Sequence, residues 1–268
     1  MFKHLNIVLL MLFSIVSVLR AQEVASVSSP LKVLTFNSRI MTTDGVGNLY
    51  VVKDNNLLIR YNAQGDSDRV FNEIKKGSIT QIDASNPLRI LLFFKEYQLV
   101  VVLDQMLSKK HVFKLNNLGL FNVTSIANSA DGTFWAYDAA QGVLLKIDDK
   151  PSIRFSSPLR TMLDHAVQFQ YMVEDDRMLY AADSTSGIYK FDLYGFYNTV
   201  YHFPTVEFQW INQQLIYWQS PNLIAYHTES LREKKRALPE PETILQVRVD
   251  RNRLFIRRKN QLELYTLE

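Results

Sequence analysis

The chain of 268 residues contains few side chains that could form a catalytic or metal-binding centre. It has no cysteine, and its five histidines, His4, His111, His165, His202 and His227, are spread over the whole length. No spacing among them matches a zinc site or an iron site of two histidines and one carboxylate. We therefore expect no catalytic residue, no bound metal and no cofactor.

Motifs of nucleophilic and phosphate chemistry are also missing from the sequence. It contains no serine nucleophile elbow and no phosphate-binding glycine loop. The segment Ser-Ala-Asp-Gly-Thr-Phe-Trp at 129–135 is similar to the aspartate box of sialidases, but it is one residue short and occurs once. An Asp-Gly hairpin turn before a buried tryptophan explains this segment better.

Charged residues in short turns between apolar segments are the main candidates for binding. The candidate binding face consists of Lys53, Asp54, Lys95, Glu96, Asp138, Asp183, Arg257 and Arg258. Loops on a rigid scaffold are where binding sites concentrate. The mixture of signs favours no ligand class, so a protein partner, a glycan and a small ligand all stay open.

A second candidate contact consists of three aromatic residues, Tyr194, Phe196 and Tyr197. They lie in a predicted turn between two strands, where a side chain faces solvent. Exposed aromatic side chains are typical of contacts with proteins or carbohydrates. The alternative is that these rings pack over the edge of the sheet.

The elements that must position these residues are strands of a sequence repeat. Six apolar triplets are each followed, 11 to 13 residues later, by an aromatic or aliphatic residue. The triplets begin at Leu49, Leu91, Phe134, Leu179, Leu215 and Leu254, and their partners are Tyr61, Leu103, Ile147, Phe191, Tyr226 and Tyr265. A period of about 41 residues made of short strands is typical of a propeller blade. The sequence predicts an all-β fold, a single six-bladed β-propeller with four-stranded antiparallel blades.

The two ends of the chain predict how the ring closes. Five repeats end in an outer-strand segment, whereas the sixth stops at Glu268 without one. The predicted outer segments are 69–71, 111–113, 153–155, 201–203 and, more weakly, 236–238. A matching segment, Leu31–Phe36, precedes the first complete repeat. We expect this N-terminal strand to complete the last blade, because an open ring would expose strand edges to aggregation.

The domain boundaries follow from a leader at the N-terminus. A short positive start at Met1–His4 precedes an uncharged run, Leu5–Leu19, and Ala21. This pattern predicts a signal peptide at 1–21, a short spacer at 22–29 and the propeller domain at 30–268. The alternative is an uncleaved anchor, although 15 residues are few for a membrane span of about 20.

The run is not followed by cysteine, which excludes a lipoprotein anchor. We expect an exported protein in the periplasm, at the outer membrane or outside the cell, without a transmembrane span in the mature chain.

The charge of the chain argues against binding to nucleic acid. The formal net charge of +3 falls to +1 when Lys3 and Arg20 of the predicted leader are left out. A net charge of this size is too small to indicate binding to the phosphate backbone of a nucleic acid. Two basic clusters, 232–236 and 257–259, are expected to be solvated hairpin tips; the alternative is a patch for acidic lipid headgroups, polysaccharide or a partner protein.

Two segments carry a resemblance to a known group of proteins. The residues at 131–137, Asp-Gly-Thr-Phe-Trp-Ala-Tyr, and at 142–148, Gly-Val-Leu-Leu-Lys-Ile-Asp, resemble blades of NHL-type six-bladed propellers of bacterial envelopes. These propellers include binding proteins, assembly factors and enzymes, so the fold does not define the function. The expectation is an exported, non-enzymatic propeller that binds a protein partner or acts as a scaffold in the cell envelope. The alternative is a lactonase-like or cyclase-like hydrolase or lyase with an acid or metal site at the channel mouth.

Overall fold

The computed structural model describes residues 29–73, 76–203 and 205–267. These residues form six sheets of four antiparallel strands each. The chain is therefore a six-bladed β-propeller, as the repeat predicts. None of the helices in the described ranges is long and apolar enough to cross a membrane. The predicted signal peptide, and the spacer up to residue 28, lie outside the described residues.

The first strand of each blade lies next to the axis, where first strands of different blades contact one another. These inner strands are β2 (Ser38–Thr43), β6 (Gln81–Asp83), β10 (Val123–Asn128), β14 (Phe169–Asp175), β18 (Phe208–Ile211) and β22 (Gln246–Asp250). The second strands are β3 (Leu49–Lys53), β7 (Ile90–Phe94), β11 (Phe134–Asp138), β15 (Met178–Asp183), β19 (Gln214–Gln219) and β23 (Arg253–Arg257).

The third and fourth strands complete each blade towards the rim. The third strands are β4 (Leu57–Tyr61), β8 (Leu99–Leu103), β12 (Val143–Ile147), β16 (Gly187–Phe191), β20 (Asn222–His227) and β24 (Gln261–Thr266). The outer strands are β5 (Ser67–Asn72), β9 (Lys109–Lys114), β13 (Ile153–Pro158), β17 (Tyr197–Tyr201), β21 (Arg232–Ala237) and, in blade 6, β1 (Lys32–Thr35). Short helical turns occur at Lys95–Tyr97, Leu115–Leu118, Leu159–Met162 and Pro241–Thr243.

The sequence repeat corresponds to buried pairs between second and third strands. In five blades the first residue of the triplet is directly opposite its predicted partner, as Leu49 is opposite Tyr61. Blade 2 differs by one residue, because Leu103 is opposite Ile90 rather than Leu91. Both faces of these strands are covered by neighbouring blades, and the core consists of six apolar clusters, one in each space between blades.

The predicted closing strand is confirmed. Strand β1 pairs with β24 from Lys32 opposite Leu264 to Thr35 opposite Gln261. The next aromatic residue, Phe36, stacks on Tyr61 of blade 1 with ring centres 6.0 Å apart. Both ends of the propeller domain are therefore held in blade 6, next to the first blade.

Two segments differ from their predicted structure. The outer strand of blade 4 begins at Tyr197 and ends at Tyr201, earlier than the predicted segment around Phe203. Its start is set by the same turn as in blade 2: the Asp192 side chain accepts hydrogen bonds from the backbone N–H groups of Tyr194 and Phe196, and Asp104 does the same in blade 2. The basic segment 232–236, expected at a hairpin tip, instead forms most of the outer strand β21. Charged side chains on such an edge oppose pairing with another chain.

Candidate functional site

The two ends of the channel have different structures. The turns between second and third strands lie at the same end as the connections between blades: the side-chain amide of Asn56 donates to the carbonyls of Glu73 and Gly77, both at 2.9 Å. We call this end the connection face. The turns between first and second strands form the opposite face.

The connection face presents five of the eight predicted binding residues to solvent, at least in part. Asp54, Lys95 and Glu96 are exposed, and Lys53 and Arg257 are partly exposed. The Nζ atom of Lys53 lies 4.6 Å from the centre of the Phe36 ring. Burial lowers the pKa of Arg257, whose guanidinium donates to the carbonyl of Ser38 at 2.8 Å. This guanidinium therefore has a structural partner as well as access to solvent.

The predicted residues Asp138 and Asp183 are buried and hold the backbone of the turns. Asp138 is 0% exposed and accepts hydrogen bonds from the backbone N–H groups of Phe121, Asn122 and Gln141. The carboxylate of Asp183 likewise accepts hydrogen bonds from three backbone N–H groups. Burial opposes the ionisation of Asp183, but these N–H groups outweigh it and lower its pKa.

Arg258 is also buried and ties the last blade connection to the closing blade. Its guanidinium lies 3.0 Å from the carboxylate of Glu263 and donates to the carbonyls of Pro239 and Glu240, both at 2.8 Å. Because its donors are directed at protein groups, Arg258 presents little charge to a ligand. The predicted face is thus reduced to two exposed clusters, one at Lys53, Asp54 and Arg257 and one at Lys95 and Glu96.

The predicted aromatic contact lies on the rim of the disc, between blades 3 and 4. Tyr194 is 59% exposed, Phe196 is 61% exposed and Tyr197 is 39% exposed. Their turn is fixed to blade 3, because the Ser157 hydroxyl donates to the carbonyl of Tyr194 at 3.1 Å. The turn packs over the blade edge. The side chains of Tyr194 and Phe196 stay largely in solvent, whereas the ring of Tyr197 is partly covered by blade 4. We call Tyr194, Phe196 and Tyr197 the rim aromatic patch.

The inner strands require partners for their backbone groups, because their channel-facing edges are not paired with another strand. Side chains of the preceding blade supply these partners. The amide of Gln81 accepts from the N–H of Ile126 and donates to its carbonyl, and Gln209 makes the same two bonds with Val249. Gln246 accepts from the N–H of Met41 across the closing junction.

The middle of the channel is crossed by a contact between blades 4 and 6. The guanidinium carbon of Arg248 lies 5.7 Å from the centre of the Tyr171 ring, and Arg248 faces Glu207 at 3.8 Å. Tyr171 borders two cavities. The cavity on the connection face, of about 290 Å³, is lined by both signs of charge, including Lys95, Glu207 and Arg248.

The cavity on the opposite face is larger and acidic. Its volume is about 410 Å³, and its charged lining residues are Asp44, Asp83, Glu174, Asp175, Asp250 and Arg251. We call it the acidic chamber. Five carboxylates face one guanidinium there, and Arg251 is exposed. Nothing in the choice of turn residues on the connection face pointed to this end of the channel.

The carboxylates of the acidic chamber differ in how their oxygens are used. Asp83 accepts backbone N–H groups on both oxygens, whereas Asp44 accepts backbone N–H groups on Oδ1 and the side-chain amide of Asn48 on Oδ2. Glu174 accepts from the indole N–H of Trp135 at 2.5 Å and from the N–H of Ala130. Asp250 is 3% exposed, and only its Oδ2 is engaged, by the N–H groups of Gly45 and Gly47. Its Oδ1 is buried and has no hydrogen-bond partner within the described ranges.

Solved structures of several differently named proteins share this fold. Virginiamycin B lyase from Staphylococcus aureus is 12% identical to this chain; the match covers 85% of this chain and 80% of the lyase, with a TM-score of 0.56. BamB from Moraxella catarrhalis is 11% identical over 91% of this chain and 90% of BamB, with a TM-score of 0.51. The Pan2 WD40 domain from Neurospora crassa is 9% identical over 90% of this chain and 97% of that domain, with a TM-score of 0.61.

The chain is a propeller that resembles bacterial propellers in fold. At identities of 9–12%, the likeness shows the fold alone. No protein-family model and no curated protein sequence matches the chain. The fold by itself therefore does not identify a function.

One signal in the sequence could have indicated the acidic chamber. Asp44, Asp83, Asp175 and Asp250 each lie at the end of an inner strand, so an acid recurs there in four of the six blades. The inner strands carry more polar residues than the apolar triplets that define the repeat, so the repeat pattern does not include these acids. Among the described residues, no group of three histidine, aspartate or glutamate side chains is arranged to hold a metal ion.

Both ring nitrogens of His165 have a hydrogen-bond partner, although no other histidine is near it in the sequence. Its Nε2 lies 2.6 Å from the hydroxyl of Tyr189, and its Nδ1 lies 2.5 Å from the carboxylate of Asp164. The hydrogen bond to His165 lowers the pKa of Asp164. Tyr189 is buried, so this hydroxyl anchors the blade connection and is closed to a substrate.

Proposed function

We propose that this chain is an exported, non-enzymatic propeller that binds a protein partner in the bacterial cell envelope and acts as a scaffold subunit. The observation that carries the proposal is the rim aromatic patch. Tyrosine and phenylalanine supply large contact areas with little loss of side-chain entropy, and such rings are enriched at the centres of protein interfaces. Three exposed rings within four residues of one rigid turn favour a partner with an apolar surface.

The patch is held in place by its backbone. The turn is closed by the Asp192 carboxylate, which accepts from the N–H groups of Tyr194 and Phe196, both at 2.9 Å. The ring of Tyr197 packs against buried Phe191, with ring centres 6.2 Å apart. A preorganised contact loses less free energy on ordering when it binds. The rigidity therefore supports a role in recognition.

Export is supported by the sequence of the leader. Its positive start, apolar run and Ala21 are typical of a signal peptide. A protein without cysteine also has no thiols that oxidation outside the cytoplasm could alter. Fractionation of the native host and N-terminal sequencing test this part, and a cytoplasmic chain that keeps Met1 would contradict it.

Partner binding is tested by crosslinking from the patch. A photoreactive phenylalanine analogue replaces Phe196 in one sample and Tyr97 in the control, because Tyr97 is 57% exposed on the connection face. We expect one envelope protein to crosslink from position 196 and not from position 97. The double variant Tyr194→Ala, Phe196→Ala should reduce co-purification of this protein by about tenfold or more, whereas Tyr97→Ala should not. Equal crosslinking from both positions, or none from position 196, would contradict the proposal.

A hydrolase or lyase with an acid at the channel mouth is the second candidate, and one observation favours it. Burial raises the pKa of Asp250, and the nearby charge of Asp44 raises it further. A carboxyl group of raised pKa in a cavity is typical of a general acid. A screen of lactones and glycans with the wild type and Asp250→Asn tests this candidate. Turnover that is lost in Asp250→Asn would support it, and a wild type without turnover would contradict it.

A further inference from the structure

The acidic chamber carries an excess of negative charge that the chain itself does not neutralise. Within the described ranges, none of its five carboxylates takes part in an ion pair. Like charges around one low-dielectric cavity repel one another, and a bound cation relieves this repulsion. The net field in the chamber therefore favours a positively charged ligand.

One carboxylate oxygen in the acidic chamber, Oδ1 of Asp250, is buried. Asp250 Oδ1 has no partner among the residues that the structure describes, although its second oxygen accepts two backbone N–H groups. A buried acceptor without a partner costs about 1–3 kcal/mol, and more when it is charged. Asp175, which lines the same cavity, has a pKa raised by burial and by the charge of Asp176. Both acids would gain free energy from a donor that carries a positive charge.

The size and the other walls of the chamber fit an organic cation better than a bare metal ion. Its volume of about 410 Å³ lies in the range of small-molecule sites. Tyr171 and Trp210 line it, and aromatic rings next to carboxylates are suited to ammonium and guanidinium groups. Asp44 and Asp83 already use both oxygens for protein donors, and no metal-binding group of three acids or histidines occurs within the described ranges.

We propose that the acidic chamber binds a small organic cation, with an ammonium or guanidinium group donating to Asp250 Oδ1 and to the Asp175 carboxylate. The neutral part of the ligand occupies the space beside Tyr171 and Trp210. Asp44, Asp83 and Glu174 hold the chamber walls and add to its negative potential. This site is independent of the rim aromatic patch, because it lies inside the channel mouth of the opposite face.

Binding of defined probes to the full propeller domain tests the inference. Spermidine and agmatine are titrated by calorimetry, and 1,8-octanediol serves as a neutral probe of similar length. We expect one saturable site for at least one of the two amines and none for the diol. Asp250→Asn is the informative variant, because its amide oxygen can still accept from Gly45 and Gly47 while the charge is lost. This variant and Asp175→Asn should each weaken amine binding by about tenfold.

The control variant is Asp54→Asn, an exposed acid on the connection face. It should leave the affinity for the amines unchanged, and thermal unfolding of each variant verifies that the blades are intact. Three results would overturn the inference. These are no saturable amine binding up to about 10 mM, equal loss of affinity in Asp54→Asn, or stoichiometric Ca²⁺ binding that abolishes the amine signal.

Discussion

Replacing Asp138 by alanine should destabilise the propeller, because this carboxylate organises a turn rather than facing a ligand. It is fully buried and accepts from the N–H groups of Gln141 at 3.0 Å, Phe121 at 3.2 Å and Asn122 at 3.3 Å. Alanine offers no acceptor for these three partly buried hydrogen bonds. Three backbone donors of blade 3 would lose their partner at once.

The magnitude follows from the geometry of these bonds. A buried donor that loses its partner costs about 1–3 kcal/mol. The two longer bonds share one oxygen, so they count together as about one good hydrogen bond, and the removal of a buried charge offsets part of the loss. We expect the free energy of unfolding to fall by about 3 kcal/mol, which corresponds to about 6–12 °C in Tm for a domain of this length.

Urea unfolding followed by tryptophan fluorescence measures this change, with Asp54→Ala as the matched control. Asp54 lies in the equivalent turn of blade 1 but is exposed, so its variant should stay within about 0.5 kcal/mol of the wild type. Asp138→Asn should lie between the two, because it keeps one acceptor. If Asp138→Ala is as stable as Asp54→Ala, the carboxylate does not hold the turn and the reasoning fails.

Four further outcomes are expected. Deletion of residues 30–36 should lower Tm in calorimetry and promote aggregation, because β24 then has a free edge; a deletion variant that melts like the wild type would contradict the closure. Gly195→Ala should cost about 1–2 kcal/mol in urea unfolding, since its φ is +77° and a Cβ would lie 2.6 Å from the Ser157 hydroxyl. Asp183→Asn should be less stable than the wild type at pH 7. The difference should shrink in acid unfolding as the pH falls from 3.8 through the lowered pKa of the folded state. Asp250→Asn should behave in the opposite sense: it should equal or exceed the wild type at pH 7, where the buried carboxylate is charged, and lose this advantage below pH 3.8.

The sequence predicts the blades well because their signal comes from packing between sheets. Second and third strands are buried on both faces, so their apolar residues recur with the period of the fold. The signal is weaker at the rim, where only one face is covered. The outer strand of blade 4 was therefore predicted too late in the chain, around Phe203 instead of Tyr197–Tyr201. The one-residue difference in blade 2 has a similar origin, because Ile90, Leu91 and Leu92 are equally apolar and equally buried.

The candidate site was less predictable, because residue type does not reveal where a side chain is directed. Asp54 and Asp138 lie in equivalent turns, yet one is exposed and the other is fully buried. The position of a residue along the blade predicts on which face of the disc it lies. Whether its carboxylate accepts hydrogen bonds from the chain or faces solvent depends on the neighbouring blade connection. For Asp138 this partner is the segment at Phe121 and Asn122, which comes from the preceding blade connection.

The aspartates at the strand ends of this propeller differ in whether both carboxylate oxygens accept hydrogen bonds from the chain. Asp44, Asp83, Asp138 and Asp183 have both oxygens engaged by donors of the chain, mostly backbone N–H groups, so their charge is used to fix turns and strand edges. Asp250 shares this role through one oxygen only, and its other oxygen stays buried without a partner in the described part of the chain. A fold that needed only the turn could satisfy Gly45 and Gly47 with asparagine, without the cost of burying a charge. The carboxylate of Asp250 is therefore better explained by the proposed cationic ligand than by the architecture.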